Sequence, residues 1–569
     1  MATNIASTRD LPAMPAESTI DTANEARRGL DLPLTAIIVG YLVYGCAFIY
    51  RTSFIQAGVR YFVLMDDEMI SMRYAKNLAH GWGMVYNPGG DRVEGFTNLM
   101  WMLYMALLHL LPVSPPKISL LVQLTGLALL AINLFVIARL TESVSGSYRA
   151  GLCAAALTAF YFPLNEWGLQ GSEVCVLTLL LSASAWLAVR CVESETSAIP
   201  LYLLLGSATL FRLDAFVPGF VILGMLAVVD RRRRWQHALA GSFVIAIFLA
   251  AQLAFNAWYF HDVFPNTYYL KLTGFPLVPR LTRGAFATLK FLIEINPLLP
   301  ALVVALILFR RDWRLVLIGL IFGATLLYNI WIGGDFTDVD GGSNRFISVA
   351  MPLFFALLAC VLDSFASFLV RAFPDFFLTA KPGAAGILAV LTLFTLFTIN
   401  LAVAPEAGGF GFDQVSSLHF PLAAPLLLNS PPGVNFNQLG VAIALAVRQM
   451  TDADARTMVA GAGIVPYFSD RFAIEILGQT DATVARETWR PLASGARWHS
   501  FLPGNFKWDY HHSIIEMKPD LILGLLPWDE DTAQLWLDDY STVNYGGAHW
   551  YVRKDSTHVH IPTYNNRAH

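Results

Sequence analysis

Asn98-Leu99-Met100-Trp101-Met102-Leu103-Tyr104-Met105-Ala106-Leu107-Leu108-His109-Leu110-Leu111-Pro112 is apolar almost throughout, and its reading decides the topology of everything that follows. Crossing a bilayer takes about 20 mostly apolar residues. This run is shorter, so it is either a cramped span or a helix lying in the interface. Basic residues choose between the two, because they gather on the cytoplasmic side. With 98–112 in the interface, Arg27-Arg28, Arg139 and Arg149, Arg190, Arg231 to Arg234, Arg310-Arg311 with Arg314, and Arg371 with Lys381 all fall on one side. The N-terminus is then inside and the C-terminus outside. Counted as a span, the run would place Arg231 to Arg234 outside, so the interfacial reading is adopted.

The surrounding composition is that of a polytopic membrane protein. Of 569 residues 56% are hydrophobic and only 14% charged, with a mean hydropathy of +0.52. The formal charge of −4 says little by itself, and no nucleic-acid partner is expected. Candidate spans are 32–50, 118–139, 149–163, 172–190, 199–212, 214–229, 236–258, 288–309, 314–332, 346–370 and 384–403. Residues 1–30 read as a disordered cytoplasmic leader without a signal-peptide layout. The membrane domain is expected over 31–403, with a first external loop at 51–117. Past residue 404 about 165 residues run without a span. There 457–465, 519–524 and 550–553 read as strands with helix-like segments between, an external α/β domain over 404–569. The five cysteines lie in or beside apolar segments without paired spacing, which argues against a disulfide or zinc framework.

This topology sends the unusual polar stretches to the outer face. Asp66-Asp67-Glu68 opens a segment with helical apolar spacing, so the acids occupy a first helical turn, where free N–H donors and the dipole favour anions. Such carboxylates suit a general base; a solvated acidic helix start fits them as well. The stretch 77–98 is rich in Gly, Asn and aromatic residues, a structured loop suited to sugars or to an interfacial aromatic belt. Asp335, Asp338 and Asp340 with Gly341-Gly342 hint at a hard-cation loop for calcium or magnesium, but lack the full ligand series. A solvated acidic turn is the preferred reading there. His511-His512 with Glu516 offers one i,i+4 pair and no third ligand, so no metal centre is assigned.

The first loop also carries a specific resemblance. Asp66-Asp67-x-x-Ile70-Ser71-x-Arg73-Tyr74-Ala75-x-Asn77-Leu78, then Gly81-x-Gly83-x-Val85-Tyr86-Asn87-Pro88-Gly89, then Val93-Glu94-Gly95-Phe96-Thr97-Asn98 resembles that of bacterial polyprenyl-phosphate-dependent glycosyltransferases of the GT-C class. It looks most like the arabinofuranosyltransferases that act late in mycobacterial arabinan synthesis. Weaker matches are Gln170-Gly171-Ser172-Glu173, Arg212-Leu213-Asp214, Pro265 to Lys271, Gly333-Gly334-Asp335-Phe336 with Arg345-Phe346, Gly463 to Ser469 and Leu477 to Asp481. Two departures stand out: the extra acids and glycines before Arg345, and Gly504-Asn505-Phe506-Lys507 where that group has a Gly-His-x-Lys-like element.

The resemblance implies an inverting transferase in the bacterial inner membrane with a periplasmic C-terminal domain. Its donor is a sugar on polyprenyl phosphate and its acceptor an extracytoplasmic polysaccharide or glycoconjugate. One base and several cations for the leaving phosphate are needed. Asp66 is assigned as base with Asp67 orienting it or a sugar hydroxyl, and Arg73, Arg212, Lys271 and Arg345 as phosphate ligands. Asn87, Glu94, Asn98, Glu173, Asp214, His261, Asn266, Tyr268 and Asp335 are assigned to substrate. Arg73 equally well neutralises the acids at helical spacing. Rival readings are another sugar, a pilin or lipopolysaccharide acceptor, or a lipid-linked-sugar flippase. A flippase would carry ionisable residues along a path through the bundle, and mid-span charges here are few.

Overall fold

Pro33 in the first turn and Asp31 before it start the first helix, α1 (Leu32–Thr52). The computed structural model describes residues 31–335, 338, 342–374, 383–401, 422–490, 504–545 and 548–561. Arg27-Arg28, Phe336, Asp340, Gly341, Lys381 and the expected boundary at 403/404 lie outside them. After α1 comes a hairpin unread from sequence, β1 (Phe54–Gln56) and β2 (Val59–Tyr61). Its two-residue turn, Ala57-Gly58, has positive φ at both positions, the twist that suits a tight hairpin. Then follow α2 (Asp66–Ala79), the 80–98 loop and α3 (Leu99–His109). At 11 residues α3 is about 16 Å long, too short to cross.

The bundle continues with α4 (Pro115–Ser145), α5 (Tyr148–Ala159), α6 (Phe162–Leu169), α7 (Val174–Glu193), α8 (Ile199–Phe211) and α9 (Phe216–Val229). A π-helical turn, Gln236–Gly241, runs into α10 (Ser242–Tyr259), followed by the short α11 (Asn266–Lys271). Next are α12 (Leu277–Glu294), α13 (Leu298–Arg310), α14 (Trp313–Ile332), α15 (Arg345–Ser348), α16 (Met351–Ala372) and α17 (Ala384–Ile399). Among the described residues six helical stretches are long and apolar enough to cross a membrane: α1, α4, α7, the turn with α10, α14 and α16. The runs 199–212, 214–229 and 384–403 form shorter apolar helices.

Two expected spans are corrected. The run 149–163 is split between α5 and α6, because Pro163 starts a new helix rather than extending the old one. The run 288–309 is bent by 93° between α12 and α13. Asn296 sits there at φ 72°, and Pro297 lacks the N–H needed to continue the ladder. Helices α4, α7 and α16 form the buried centre, while α1, α10 and α14 keep most of their apolar surface outward, as lipid-facing helices do.

The C-terminal part consists of α18 (Val434–Met450), β3 (Arg456–Val459), α19 (Ile464–Ser469), β4 (Phe472–Glu475) and α20 (Ala482–Ala485). A π-helical turn (His511–Glu516), β5 (Leu521–Ile522), α21 (Glu530–Gln534), β6 (Tyr540–Tyr545) and β7 (Ala548–Arg553) complete it. The sheet order is β4-β3-β5-β7-β6. Strand β3 is parallel to β4 and β5, and the pairs β5–β7 and β7–β6 are antiparallel. Three strands were expected and five are present among the described residues. Ile464 and Val465, read as the end of a strand, start α19 instead, because the Gly461-Ala462-Gly463 turn comes first. This domain packs on α2 and the first loop, and that contact places the site.

Candidate active site

Helix α2 begins at Asp66 with Met65 as a non-bonding N-cap, so its first turn depends on partners from elsewhere. Asp66 turns to the C-terminal domain: its carboxylate accepts the Ile464 N–H at 2.8 Å and the Gly463 N–H at 3.3 Å. Only glycine fits at 463, since a Cβ would stand 1.8 Å from the Asp66 carbonyl oxygen. Burial raises the Asp66 carboxyl to about 6; the Ile464 and Gly463 donors pull the other way and the Asp67 charge adds to the rise. A carboxylate with that value is ionised at neutral pH yet basic enough to accept a proton.

Asp67, with 43% of its side chain exposed, meets Arg345 at 3.2 Å. Glu68 points inward and is buried. There Asn98, which accepts from Ser71 at 2.9 Å, donates to Glu173 at 3.0 Å and Glu68 at 3.5 Å. Burial and then the neighbouring Glu173 push the Glu68 carboxyl well above its usual range.

Asn344 caps α15 by accepting from the Phe346 and Ile347 N–H groups, which sets Arg345 at the head of that turn. Arg345 bridges Asp67 and Asp335, the latter at 2.9 Å. Burial works against its charge, but Asp335 and Asp67 hold the guanidinium above its usual value. Arg212, in the extended link between α8 and α9, is clamped by Asp214 at 2.8 Å and Glu173 at 3.0 Å and lies over the Phe346 ring. Lys271 lies within the electrostatic reach of Arg345, Asp67, Asp335 and Arg212. Burial and then the Arg345 charge lower its ammonium below the usual range, and its stem packs on Gly504. Five separate segments thus converge on one patch.

Beside Arg212 and Arg345 a narrow apolar groove runs between α7, α8, α9 and α14, lined by Val174, Leu177, Leu181, Leu205, Pro218 and Val349. Glu173, Asp214 and Tyr328 stand with the arginines along its wall.

Other residues assigned from sequence sit elsewhere. Arg73 is buried and gives its donors to the carbonyls of Tyr86, Pro466 and Arg471 and to Asn87, so it neither neutralises the acids nor joins the cationic patch. Asn87 both donates to and accepts from the Ala473 backbone, closing the β4 edge of the sheet. Asn266 donates to the carbonyls of Gly478, Gln479 and Asp481. Glu94 is buried against Asn256 at 2.7 Å. These four hold the first loop, the bundle and the C-terminal domain together. His261 is exposed at φ 58° and Tyr268 stacks on Phe264 at the rim, both outside the ion-pair network.

The described acids of the loop, Asp335 and Asp338, are not solvated. Asp335 and Asp338 side chains are 4% and 8% exposed and pair with Arg345 and Arg283, the latter at 2.9 Å. With both carboxylates committed to arginines, the described part of the loop offers no free oxygen cluster to calcium or magnesium. Lys507, in the element that departs from the resemblance, is buried and donates to the carbonyls of Tyr269, Thr273 and Ala485. It fastens the loop that carries Lys271. Sequence reasoning missed the Gly463–Ile464 cradle and the Glu68–Glu173 pair, although the weaker matches at 463–469 and 170–173 run through them.

A family model described as a domain of unknown function (DUF8728) matches residues 433–563, from the start of α18 to just past β7. No curated protein matches the sequence. Among solved structures, ArnT from Cupriavidus metallidurans bound to undecaprenyl phosphate superposes with a TM-score of 0.54 at 12% identity, over 93% of this chain and 99% of that one. The apo oligosaccharyltransferase of Archaeoglobus fulgidus gives 0.48 at 10% identity, over 78% and 64%. The likeness to ArnT runs through bundle and C-terminal domain alike, and the fold is the GT-C one that the first-loop motif implied.

Proposed function

We propose that the chain is an inverting glycosyltransferase that moves a sugar from a polyprenyl-phosphate donor to a glycan acceptor on the outer face of the bacterial inner membrane. D-arabinofuranose is the sugar of first choice, on the first-loop resemblance. The observation that carries the reading is a cationic patch of Arg212, Arg345 and Lys271 at the head of an apolar groove, beside a carboxylate that titrates at about 6. A lipid tail in the groove brings its phosphate to that patch. The fold shared with ArnT, whose structure holds undecaprenyl phosphate, supports the same donor class.

In this reading Asp66 takes the proton from the acceptor hydroxyl as its oxygen attacks the anomeric carbon from the face opposite the phosphate. The bond between that carbon and the phosphate oxygen breaks, and lipid phosphate leaves with an added negative charge. Arg345 and Arg212 are held by carboxylates in a fixed array, so they stabilise that charge without first reorganising. Lys271 has no hydrogen-bonded carboxylate among the described residues, and supplies the uncompensated cation. The N-terminus is then cytoplasmic and the sheet domain periplasmic.

The test is transfer by purified protein from synthetic polyprenyl-phosphoryl arabinofuranose to a short arabinan, with a hexosyl lipid in parallel. Turnover with the first donor supports the whole reading. Turnover with the hexosyl lipid alone keeps the mechanism and overturns the sugar. Vesicle flipping of either lipid without transfer would overturn the enzyme and favour a flippase.

A further inference from the structure

Just past the end of α18 the chain makes one short antiparallel bridge, Thr451 to Val559. The Asp452 N–H donates to the His558 carbonyl at 2.9 Å, and the His560 N–H donates to the Met450 carbonyl at 2.7 Å. Alternate residues of an extended segment face alternate sides. Val559 therefore packs inward against the cluster of Val447, Met450, Leu521 and Trp550, and His558 and His560 share the outer face. The turn after α18 brings Asp452 and Asp454 to that same face.

We propose that Asp452, Asp454 and His558 form a binding site for a zinc-class divalent ion, with His560 holding Asp452 from behind. One donor atom from each of the three lies within 4.8 Å of the others. His558 Nδ1 stands 3.2 Å from Asp454 Oδ1 and 3.6 Å from Asp452 Oδ2. Metal–ligand bonds of about 2.0–2.2 Å in a tetrahedron put neighbouring ligand atoms roughly 3.3–3.6 Å apart, so both spacings from His558 suit an ion held by the three. His560 Nε2 meets the other Asp452 oxygen at 3.0 Å, the outer contact that orients a ligating carboxylate. The donor set selects the metal. An imidazole with two carboxylates suits zinc, cobalt or nickel, whereas calcium and magnesium prefer oxygen alone.

The surrounding charges leave the two aspartates free for such an ion. Neither pairs with a lysine or arginine among the described residues. Arg471, which approaches them, is spent on Thr451 and on the carbonyls of Ser469 and Arg448. A bound ion would further fasten the 558–560 segment to the end of α18, beside the bridge, the packing of Val559 and the His560–Asp452 contact. The site shares no residue with the proposed catalytic patch and does not depend on that reading.

The experiment uses the full chain in detergent, stripped with chelator and titrated calorimetrically with zinc alone, beside His558→Gln, Asp454→Asn and His549→Gln. His549 is an exposed histidine of β7 outside the cluster. One zinc per chain is expected, with affinity at least tenfold weaker in His558→Gln and in Asp454→Asn and unchanged in His549→Gln. Zinc should also raise the unfolding midpoint of the wild type and not of His558→Gln. Asp454 is largely exposed and makes no hydrogen bond or ion pair beyond His558 among the described residues, so its variant keeps the test open should the histidine variant fold poorly. No zinc binding, or binding equal in wild type and both site variants, overturns the proposal. Saturation by calcium or magnesium at the same concentration overturns the choice of metal.

Discussion

The base assignment predicts how the rate depends on pH, and the size of the effect follows from the Asp66 environment. Burial lifts its carboxyl to about 6, against the two backbone donors and with help from Asp67. The deprotonated form is the active one, so the rate should rise with pH through about 6 and level off above it. A carboxyl titrating there is roughly 90% ionised at pH 7 and roughly 10% at pH 5, a fall of about ninefold. An aspartate at its ordinary value near 4 would lose less than about 10% over the same interval. Single-turnover transfer at saturating donor separates the two without interference from product release. Asp67→Asn removes a charge that raises Asp66, so its inflection should move to lower pH. Asp66→Asn should cost about 10²–10⁴-fold at every pH, the ordinary worth of a positioned base. A wild-type profile flat from pH 5 to 7, or an Asp66→Asn enzyme within a few-fold of wild type, would refute the assignment.

Lys271→Ala should weaken donor use by about ten- to a hundredfold in kcat/KM while leaving the unfolding midpoint unchanged, because no hydrogen-bonded partner is orphaned; a fall in the midpoint with KM intact would make Lys271 a structural residue. Gly463→Ala should cut kcat at least tenfold, since its Cβ would collide with Asp66 and pull both donors from the carboxylate, whereas Gly524→Ala, which meets nothing within 4 Å, should be neutral. Arg73→Met should destabilise by about 3–5 kcal/mol through the carbonyls it leaves unsatisfied, read by thermal unfolding; a normal midpoint with a raised donor KM would return Arg73 to the phosphate site.

The membrane class, the six long helices and the C-terminal sheet were legible because greasy runs and alternating strands report directly on burial. The two breaks, at Pro163 and Asn296-Pro297, were written in the prolines but overridden by hydropathy, which is blind to direction. At the site, what sequence could not separate was an amide that meets a sugar from one that meets a carbonyl. Asn87 and Asn266 have the residue type that carbohydrate recognition favours, yet both complete backbone pairing across a domain boundary. Arg73 looks like a phosphate ligand for the same reason, since any anion or carbonyl cluster satisfies its donors. The loop acids failed differently. Asp335 and Asp338 look like a cation site until the distant Arg283 and the nearby Arg345 fill the role of the cation.

Successive residues on a helix point about 100° apart, so three adjacent acids cannot share one task. Asp66 faces the C-terminal turn, Asp67 faces Arg345 on the bundle, and Glu68 faces the buried Asn98 and Glu173. The first turn of α2 is therefore held from three sides at once. The consequence concerns the sheet domain. The donors that fix Asp66 are backbone groups of Gly463 and Ile464, and Arg73, two turns further along, binds the carbonyls of Pro466 and Arg471 in the same domain. If Asp66 is the base, its position is fixed and its proton affinity tempered by backbone groups of that domain. The sheet domain then acts as the wall against which the base is built, and a mutation in its Gly461-Ala462-Gly463 turn should act on catalysis as directly as one in the acid cluster itself.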